Sequence, residues 1–549
     1  MTAATCARLR VTDPARWRTA AAAWAAWADL AGRWSTAFDP LVARLSAAWS
    51  GRAAEAALAR FHRLRRLVTL FRVLCWEADQ ALREFAAALE RARALLARAI
   101  AEAARAGAVV TDEGAVTAPP HAGARRAGPG EAIVDRAVAD LSAAVAVAER
   151  ADAIAAGRLG EVAAVASAAS LASAASLASG PTASARSAVD AAPPPADGAL
   201  PPCTATPAEV RRWWDELTPA RRRWLVVTHP AWLGPLDGIP AGFRDLANRI
   251  LLEERRAELD RRAAQTAGAD HCRLDGLRRG LDELSGRLRD QGGPRAYLMG
   301  LDLAGDGQVV VALGDPDRAD NVLTHVPGMM AGLASHGGEL RHAEQVAIRA
   351  AELRPTASTS TIMWLGYDAP DFLGEASRPG LARAGADDLC RFEDGLRATH
   401  DGPPARLTVL GHSYGSLVVG EAAVRPGFAA DGVIFVASPG VGVDSAAQLQ
   451  VPPGEVWSTS ALTDPVRFAM SPREVRNDVA TVAALPPVLG PALALATPPE
   501  QLWFGRDPND PAFGAHVFAS QPDAGHVGYW DRDRTALDGI ASIALGVAR

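Results

Sequence analysis

A serine between two glycines is the residue of this chain whose type and spacing point most directly to chemistry. Residues 411–415 have the pattern G-x-S-x-G, with Ser413 at the centre and glycines where side chains would collide in a sharp strand-to-helix turn. An apolar run at 405–410 precedes the pattern, and a helical pattern at 416–423 follows it. This context predicts a nucleophile elbow that presents the Ser413 hydroxyl for attack on a carbonyl carbon.

A serine hydroxyl is a poor nucleophile at neutral pH and needs a histidine base, which in turn needs a carboxylate to orient it. In an elbow of this kind the partners follow in the order serine, acid, histidine. Asp464 comes just after an apolar run at 455–461, and His526 comes just after another at 514–519. We therefore predict a catalytic triad of Ser413, Asp464 and His526.

Other residues compete for two of these roles. Asp507 is the alternative acid, although it lies further from a clear strand end, and the choice between Asp507 and Asp464 stays open at this point. His516 is the alternative base, but it falls inside a predicted strand, where a histidine is more often structural. His412 is adjacent to the nucleophile, and we expect it to point away from the serine and to serve packing and hydrogen bonding.

Acyl transfer also requires backbone N–H groups that stabilise the oxyanion of the tetrahedral intermediate. One predicted donor is Tyr414, the residue after the nucleophile, and the second should lie in the loop after the third strand. That loop spans residues 326–332, where Gly328 permits a turn and Met329 is the predicted second donor. Met329 and Met330 would also suit an apolar pocket for an acyl group. The expected substrate is therefore a small-molecule ester or acyl compound.

Composition limits the remaining classes of function. The 549 residues imply two or more domains, and a net charge of −6 shows no basic footprint for nucleic acid. The five cysteines are odd in number and have no close pairs, so they predict neither a disulfide framework nor a zinc site. We expect no metal and no cofactor.

The N-terminal region has the periodicity of long amphipathic helices. Apolar residues recur at helical spacing over 14–48 and again over 58–89, and Trp49 and Gly51 lie between the two segments. Two such helices with a tight turn predict an antiparallel hairpin. Over residues 10–105 this pattern resembles the Trp-x-Gly helical-hairpin proteins of ESX (type VII) secretion, which implies a packing or recognition module with a possible protein partner. An ordinary helical bundle, with Trp49 in its core, explains the same pattern.

Composition also suggests the domain boundaries. We predict an α-helical domain at 1–160, an Ala/Ser/Pro-rich linker at 161–204 and a catalytic domain at 205–549. The uncharged run at 162–185 is mostly Ala, Ser and Gly, so no stable membrane span is expected. The first residues lack the apolar core of a signal peptide. The expected location is the cytoplasm, or the exterior by a route without a cleavable signal.

After a charged helix predicted at 251–289, short apolar segments alternate with helical ones. The predicted helices are 339–354, 381–400 and 413–424, and the predicted strands are 295–301, 308–313, 321–326, 361–366, 405–410, 432–437, 455–461 and 514–519. This alternation predicts a mostly parallel, doubly wound α/β sheet with the chemistry at the carboxyl ends of the strands.

Several short motifs in the C-terminal part occur together. They are residues 238–240, Arg244-Asp245, 247–249, 411–416, 463–465, 513–515, Gly525-His526 and Tyr529-Trp530. In this combination, residues 205–545 resemble the actinobacterial α/β-hydrolase family of unassigned substrate. The resemblance implies the α/β-hydrolase fold and the triad Ser413, Asp464 and His526, and it implies no substrate.

Two functional hypotheses follow. The first is a serine hydrolase that acts on an ester, in preference to an amide, through an acyl-enzyme. The second is a secretion-associated binding protein whose helical hairpin recognises a partner and whose hydrolase domain is a scaffold. The intact serine, acid and histidine favour the first.

Overall fold

A computed structural model describes residues 3–112, 114–117, 129–178, 200–202, 204–265, 268–290, 292–468 and 501–548. Backbone contacts divide the chain into two compact units. The first comprises residues 1–200 and 215–230, and the second comprises residues 201–214 and 231–549.

The first unit is mainly helical. Its helices are α1 (Ala3–Val11), α2 (Pro14–Ala48), α3 (Arg52–Arg105), α4 (Pro129–Ala178) and α6 (Pro219–Thr228), and a short antiparallel pair joins β1 (Val109–Val110) to β2 (Val116–Thr117). Helices α2 and α3 pack along each other and form the predicted hairpin. Gly51 connects them with φ of 97°, a left-handed value that glycine adopts without steric cost.

The core of the first unit lies between α1, α3 and α4, where Leu89, Leu95 and Leu141 are buried. Helix α2 is more exposed. Its Trp17 packs edge-on against Phe85 with ring centroids 5.1 Å apart. Several tryptophans of this helix and of the turn remain between 37% and 50% exposed: Trp17, Trp24, Trp27, Trp34 and Trp49.

The boundaries of the first unit differ from the predicted ones in two places. Helix α4 continues to Ala178, so the predicted linker at 161–204 begins as helix, and its residues 179–199 lie outside the described part of the chain. Residues 215–230, predicted to belong to the catalytic domain, are part of the first unit. A buried bidentate ion pair joins this segment to α3, with Arg223 Nε and Nη2 lying 2.9 and 2.6 Å from the carboxylate oxygens of Glu77. No helix in the described residues is long and apolar enough to span a membrane.

The second unit alternates helices and strands. Its helices are α5 (Pro207–Glu216), α7 (Pro230–Leu233), α8 (Ala241–Ala263), α9 (Ala269–Arg289), α10 (His336–Leu353), α11 (Leu373–Ala376), α12 (Gly380–Thr399), α13 (Gly415–Ala423) and α14 (Thr535–Ala544), of which α5 and α7 straddle the boundary between the units. The single charged helix predicted at 251–289 is in fact two helices, since α8 ends at Ala263 and α9 begins at Ala269 after Gly268, whose φ of 74° is not helical.

Within the described residues, eight strands form the main sheet. They are β3 (Ala296–Asp302), β4 (Gln308–Leu313), β5 (Asn321–Val326), β6 (Thr359–Leu365), β7 (Arg406–His412), β8 (Gly432–Val436), β9 (Val456–Thr459) and β12 (His516–Val517), and a separate two-stranded pair joins β10 (Gln501–Leu502) to β11 (Gly505–Arg506). The order in the sheet is β12-β9-β8-β7-β5-β6-β4-β3. All neighbours are parallel except those involving β4, which pairs antiparallel with β3 and β6. The predicted doubly wound sheet is confirmed.

Both faces of this sheet are covered, as a parallel sheet requires. Leu323, Leu410 and Ile434 from adjacent strands pack with Leu537 and Ile540 of α14 on one face. On the other face, Val409, Val433 and Phe435 pack with residues of α12 and α13. The central strands are consequently buried on both sides, and in open sheets of this kind ligands bind outside the carboxyl ends of the strands.

The Arg-Asp and Ala-Asn-Arg motifs noted in the sequence have a structural role. Asp245 of α8 is fully buried and bonds to Arg249 Nε at 2.8 Å, Arg295 Nη2 at 2.9 Å and the Leu298 amide at 2.9 Å. Asn248 Nδ2 donates to the Leu298 carbonyl at 2.9 Å. These residues therefore fasten α8 to strand β3 and lie outside the predicted triad.

A buried carboxyl group lies beneath the sheet on α12. Glu393 is fully buried, and in the described residues no group makes a hydrogen bond of regular geometry to its carboxyl oxygens, although the Thr324 hydroxyl lies close enough to interact with them. Burial raises the pKa of Glu393 to about 8, against the smaller opposing effects of the Thr324 hydroxyl and the Arg397 guanidinium. Near neutral pH the folded protein therefore holds this group mainly in its protonated form.

We expect the Glu393→Gln variant to be more stable than the wild type at pH 8. Between about pH 4.5 and 8 the unfolded chain ionises Glu393 while the folded chain keeps it protonated, so the wild type loses stability as the pH rises through this window. The loss is on the order of a few kcal/mol at its upper end, and glutamine is neutral in both states. Tm measured by calorimetry at pH 5 and pH 8 checks this.

The matched control is Glu352→Gln on the exposed end of α10, where the same change should leave the Tm difference between the two pH values unaltered. An equal pH response in wild type and Glu393→Gln would contradict the burial argument.

Candidate active site

The turn after β7 has the geometry of a nucleophile elbow. Ser413 has φ of 54°, a strained left-handed value for a residue with a side chain. Its amide donates to the Val436 carbonyl at 3.0 Å, which fixes the turn against β8. A Cβ on Gly411 would lie 2.5 Å from Ser416 Cα, and one on Gly415 would lie 2.2 Å from the Val326 carbonyl oxygen. The two glycines are therefore required by close backbone contacts.

Asp464 and His526 meet in two loops at the same edge of the sheet. Asp464 follows β9 and His526 follows β12, and His526 Nδ1 lies 2.9 Å from Asp464 Oδ1 and 3.2 Å from Oδ2. The Thr463 hydroxyl joins the loops by donating to the Pro522 carbonyl at 2.8 Å and accepting from the Gly525 amide at 3.1 Å. Because the carboxylate accepts, Nδ1 carries the proton and Nε2 is left as a base.

Two further donors hold the carboxylate of Asp464. The Tyr529 hydroxyl donates to Oδ2 at 2.6 Å, and the Val466 amide donates to Oδ1 at 2.9 Å. Burial opposes ionisation of this fully buried group, but the hydrogen bonds from His526 and Tyr529 prevail and hold the pKa of Asp464 below its usual value. The acid is therefore ionised at neutral pH and fixed in position.

The alternative acid, Asp507, and the alternative base, His516, have other partners. Asp507 accepts bonds from the Asn509 amide at 2.8 Å and from its side chain at 2.9 Å, and burial raises the pKa of Asp507. This pattern is an Asx turn that stabilises its own loop. His516 lies on β12 with its ring 4.8 Å from that of Trp457. The structure thus brings Asp464, and not Asp507, to His526.

His412 supports the position of His526. Its Nε2 lies 2.9 Å from the His526 carbonyl oxygen, and the two ring centroids are 4.8 Å apart. Burial lowers the pKa of His412 to about 3, so the ring is neutral and Nε2 is the nitrogen that donates to the carbonyl. His412 is therefore a packing and hydrogen-bonding residue, and it places His526 beside the elbow.

No hydrogen bond joins the Ser413 hydroxyl to His526 within the described residues. Such bonds commonly tighten only when substrate is present. The contact between His526 and His412 nevertheless locates the histidine next to the residue that precedes the nucleophile.

The loop after β5 passes directly over the serine. A Cβ on Gly328 would lie 2.7 Å from Ser413 Cβ and 3.2 Å from its Oγ. The Tyr367 hydroxyl donates to the Pro327 carbonyl at 2.7 Å, and the Met330 amide donates to the Pro370 carbonyl at 2.8 Å, which fixes the loop at both sides.

The predicted oxyanion donors are found beside the serine. Met329 follows Gly328 in this loop, and Tyr414 follows Ser413 at the start of α13. Neither amide donates in the turn and loop backbone hydrogen bonds of the described ranges. The side chain of Met330, considered for an acyl pocket, is instead 68% exposed.

Sequence reasoning did not find the supporting roles of Tyr529 and Tyr367. Each hydroxyl acts on a residue that is distant in sequence, namely Asp464 and Pro327. The Tyr-Trp pair at 529–530 was recognised as a motif. Its contact with Asp464, 65 residues away in the chain, could not be read from the sequence.

A mostly parallel sheet with a strained serine after a central strand, and an acid–histidine pair on later loops, defines an α/β-hydrolase. A family model described as "Alpha/beta hydrolase" matches residues 302–473. The uncharacterized protein Rv0963c of Mycobacterium tuberculosis is 34% identical over 219 residues, which cover 36% of this chain and 82% of that protein. The chain belongs to the α/β-hydrolase family that includes this mycobacterial protein.

Longer relatives and solved structures are also similar to parts of the chain. The uncharacterized protein Rv2079 of M. tuberculosis is 30% identical over 381 residues, covering 63% of this chain but only 56% of that protein. A hyperthermophilic esterase from Pyrobaculum calidifontis is 13% identical with a TM-score of 0.27, covering 53% of this chain and 98% of the esterase. The esterase LipW of Mycobacterium marinum is 12% identical with a TM-score of 0.27, and the match covers 51% of this chain and 90% of LipW.

Proposed function

We propose that this α/β-hydrolase cleaves carboxylic esters as a serine hydrolase through an acyl-enzyme. The observation that carries the proposal is the 2.9 Å contact between His526 Nδ1 and Asp464, next to a serine held at φ of 54°. An imidazole oriented by a carboxylate beside a strained serine is the arrangement that activates a hydroxyl nucleophile. The contacts that carry the proposal act on the ester group and do not select a particular acyl chain or alcohol.

The proposed reaction has two halves. Ser413 Oγ attacks the ester carbonyl carbon while His526 Nε2 takes the hydroxyl proton, and Asp464 stabilises the imidazolium. The amides of Met329 and Tyr414 donate to the oxyanion. The bond to the leaving alcohol then breaks, and His526 returns its proton to the alkoxide. Water attacks the acyl-enzyme with the same proton transfers, which releases the carboxylic acid and restores Ser413.

Labelling with a fluorophosphonate probe tests the proposed nucleophile. Such probes phosphonylate only an activated serine, so the wild type should be labelled once per chain and the Ser413→Ala variant should not be labelled. Ser377→Ala, at a serine whose hydroxyl donates to the Gly374 carbonyl, is the matched control and should label like the wild type. Lack of labelling in folded wild-type protein, or equal labelling of Ser413→Ala, would refute the proposal.

We propose, as a second candidate function, that the first unit binds a protein partner. The observation that favours it is the exposure of large aromatic side chains on α2, where Trp27 is 50% and Trp34 is 48% exposed. Binding of this kind should be lost in a Trp27→Ser, Trp34→Ser double variant of the full chain and retained in Ser413→Ala. This result would separate a binding role from the hydrolase activity.

A further inference from the structure

Three side chains with metal-binding atoms meet between β5 and α10, outside the proposed triad. His325 Nε2 lies 2.8 Å from Glu339 Oε2, and His342 Nδ1 lies 3.2 Å from the same oxygen. One such atom from each residue lies within 4.8 Å of the others. Glu339 and His342 are three residues apart on the helix and therefore share a face, opposite the strand residue His325.

Packing holds these side chains in place. The ring of Trp530 stacks on His342 with centroids 4.1 Å apart and planes at 12°, and it packs edge-on against His325 at 5.3 Å. The side chain of His325 is 1% exposed, whereas those of Glu339 and His342 are 21% and 19% exposed. The cluster is thus rigid on its inner side and open to solvent on its outer side.

The donor atoms of the cluster suit a divalent cation. Two imidazoles and one carboxylate are the donor set of the His₂Glu zinc sites, which keep a further position for water. In this protein one such atom from each of His325, Glu339 and His342 lies within 4.8 Å of the others.

We propose that His325, Glu339 and His342 bind one divalent transition-metal ion of the zinc type. Bonds of about 2.0–2.1 Å in a tetrahedral site place neighbouring donor atoms about 3.3 Å apart. The observed separations of 2.8 and 3.2 Å from Glu339 Oε2 lie close to this spacing, and the two histidine nitrogens lie within 4.8 Å of each other, so side-chain shifts that draw the three donors together would admit the ion. The fourth position would face solvent on the side of Glu339 and His342.

Two neighbouring histidines each have a ring nitrogen without a hydrogen-bond partner in the described residues. These atoms are Nδ1 of His325 and Nδ1 of His412, and the two ring centroids are 6.5 Å apart. An ion on His325 Nε2 would require the proton of this imidazole to lie on Nδ1.

Cobalt titration of the tag-free full chain tests the site. After treatment with a chelator, Co²⁺ alone should give a visible d–d absorption that saturates at one ion per chain and disappears when Zn²⁺ is added. His342→Gln and Glu339→Gln should each weaken binding by at least about 100-fold, because each removes a direct ligand. Glutamine at either position keeps a polar side chain, and Tm and circular dichroism verify the fold.

Two variants serve as controls. His271→Gln changes a half-buried histidine that pairs with Asp275, and Cys272→Ser removes an exposed thiol that could itself bind cobalt. Both should retain the absorption with unchanged stoichiometry. Absence of a saturable absorption in the wild type, or an unchanged absorption in folded His342→Gln, would overturn the proposal and leave a hydrogen-bonded His–Glu–His cluster. Fluorophosphonate labelling in the same samples reports separately on Ser413.

Discussion

The Ser413→Ala variant is expected to lose ester hydrolysis by at least about ten-thousand-fold in kcat, because alanine has no atom that can form the acyl-enzyme. The fold should persist, because alanine is smaller than serine and its backbone N–H can still donate a hydrogen bond from residue 413 to the Val436 carbonyl. Residual activity should reflect the oxyanion donors and binding alone. Hydrolysis of p-nitrophenyl esters of increasing acyl length measures both the loss and the chain-length preference of the wild type.

The control for this experiment is the same substitution at Ser377, where kcat should stay within about twofold of the wild type because surface changes away from a site have small effects. Hydrolysis by Ser413→Ala at a rate comparable with that of the wild type would exclude Ser413 as the nucleophile. Circular dichroism on the same preparation would show that the variant is folded.

The Asp464→Asn variant is expected to reduce kcat by about ten-thousand-fold, with a smaller effect on KM. Asparagine keeps the size of the side chain but can present its amide N–H to His526 Nδ1, which favours the tautomer with the proton on Nε2. The imidazole could then no longer accept the proton of Ser413. The variant also lacks the negative charge that stabilises the imidazolium. Steady-state kinetics across a range of pH would measure the loss.

Asp507→Asn provides the matched control, since it makes the same chemical change at the alternative acid. Asp507 bonds to Asn509 in its own loop and has no bond to His526 in the described residues, so its variant should retain kcat within a few-fold. A large loss in Asp507→Asn together with an active Asp464→Asn would exchange the proposed roles of the two carboxylates.

The sequence alone predicted those parts of the protein that depend on neighbouring residues. Strand β7, the glycines of the elbow and helix α13 are encoded within a single stretch, because an apolar run, a tight turn and a helical pattern are local signals. The hairpin of α2 and α3 was predictable for the same reason. The positions of Asp464 and His526 after strands followed from strand periodicity and the order of the chain.

Only the tertiary structure decided which distant groups bond to one another. Asp464, and not Asp507, contacts His526 where Thr463 joins their two loops, and the hydroxyl of Tyr529 reaches Asp464 from a different element. The ion pair between Arg223 and Glu77 joins helix α6 to helix α3 of the first unit. Long-range contacts of this kind leave no periodic trace in the sequence, because they are set by how whole elements pack.

The same division holds at the residue that organises the site. The sequence determined that Ser413 stands in a strained turn between strand and helix. Glycine occurs on both sides of it, at the positions where backbone contacts leave no room for a Cβ atom. Its surroundings were decided by packing: the histidine held by His412, and the His325, Glu339 and His342 cluster behind it. The first contact joins residues that are more than 100 positions apart in the chain, and the second joins strand β5 to the helix that follows it.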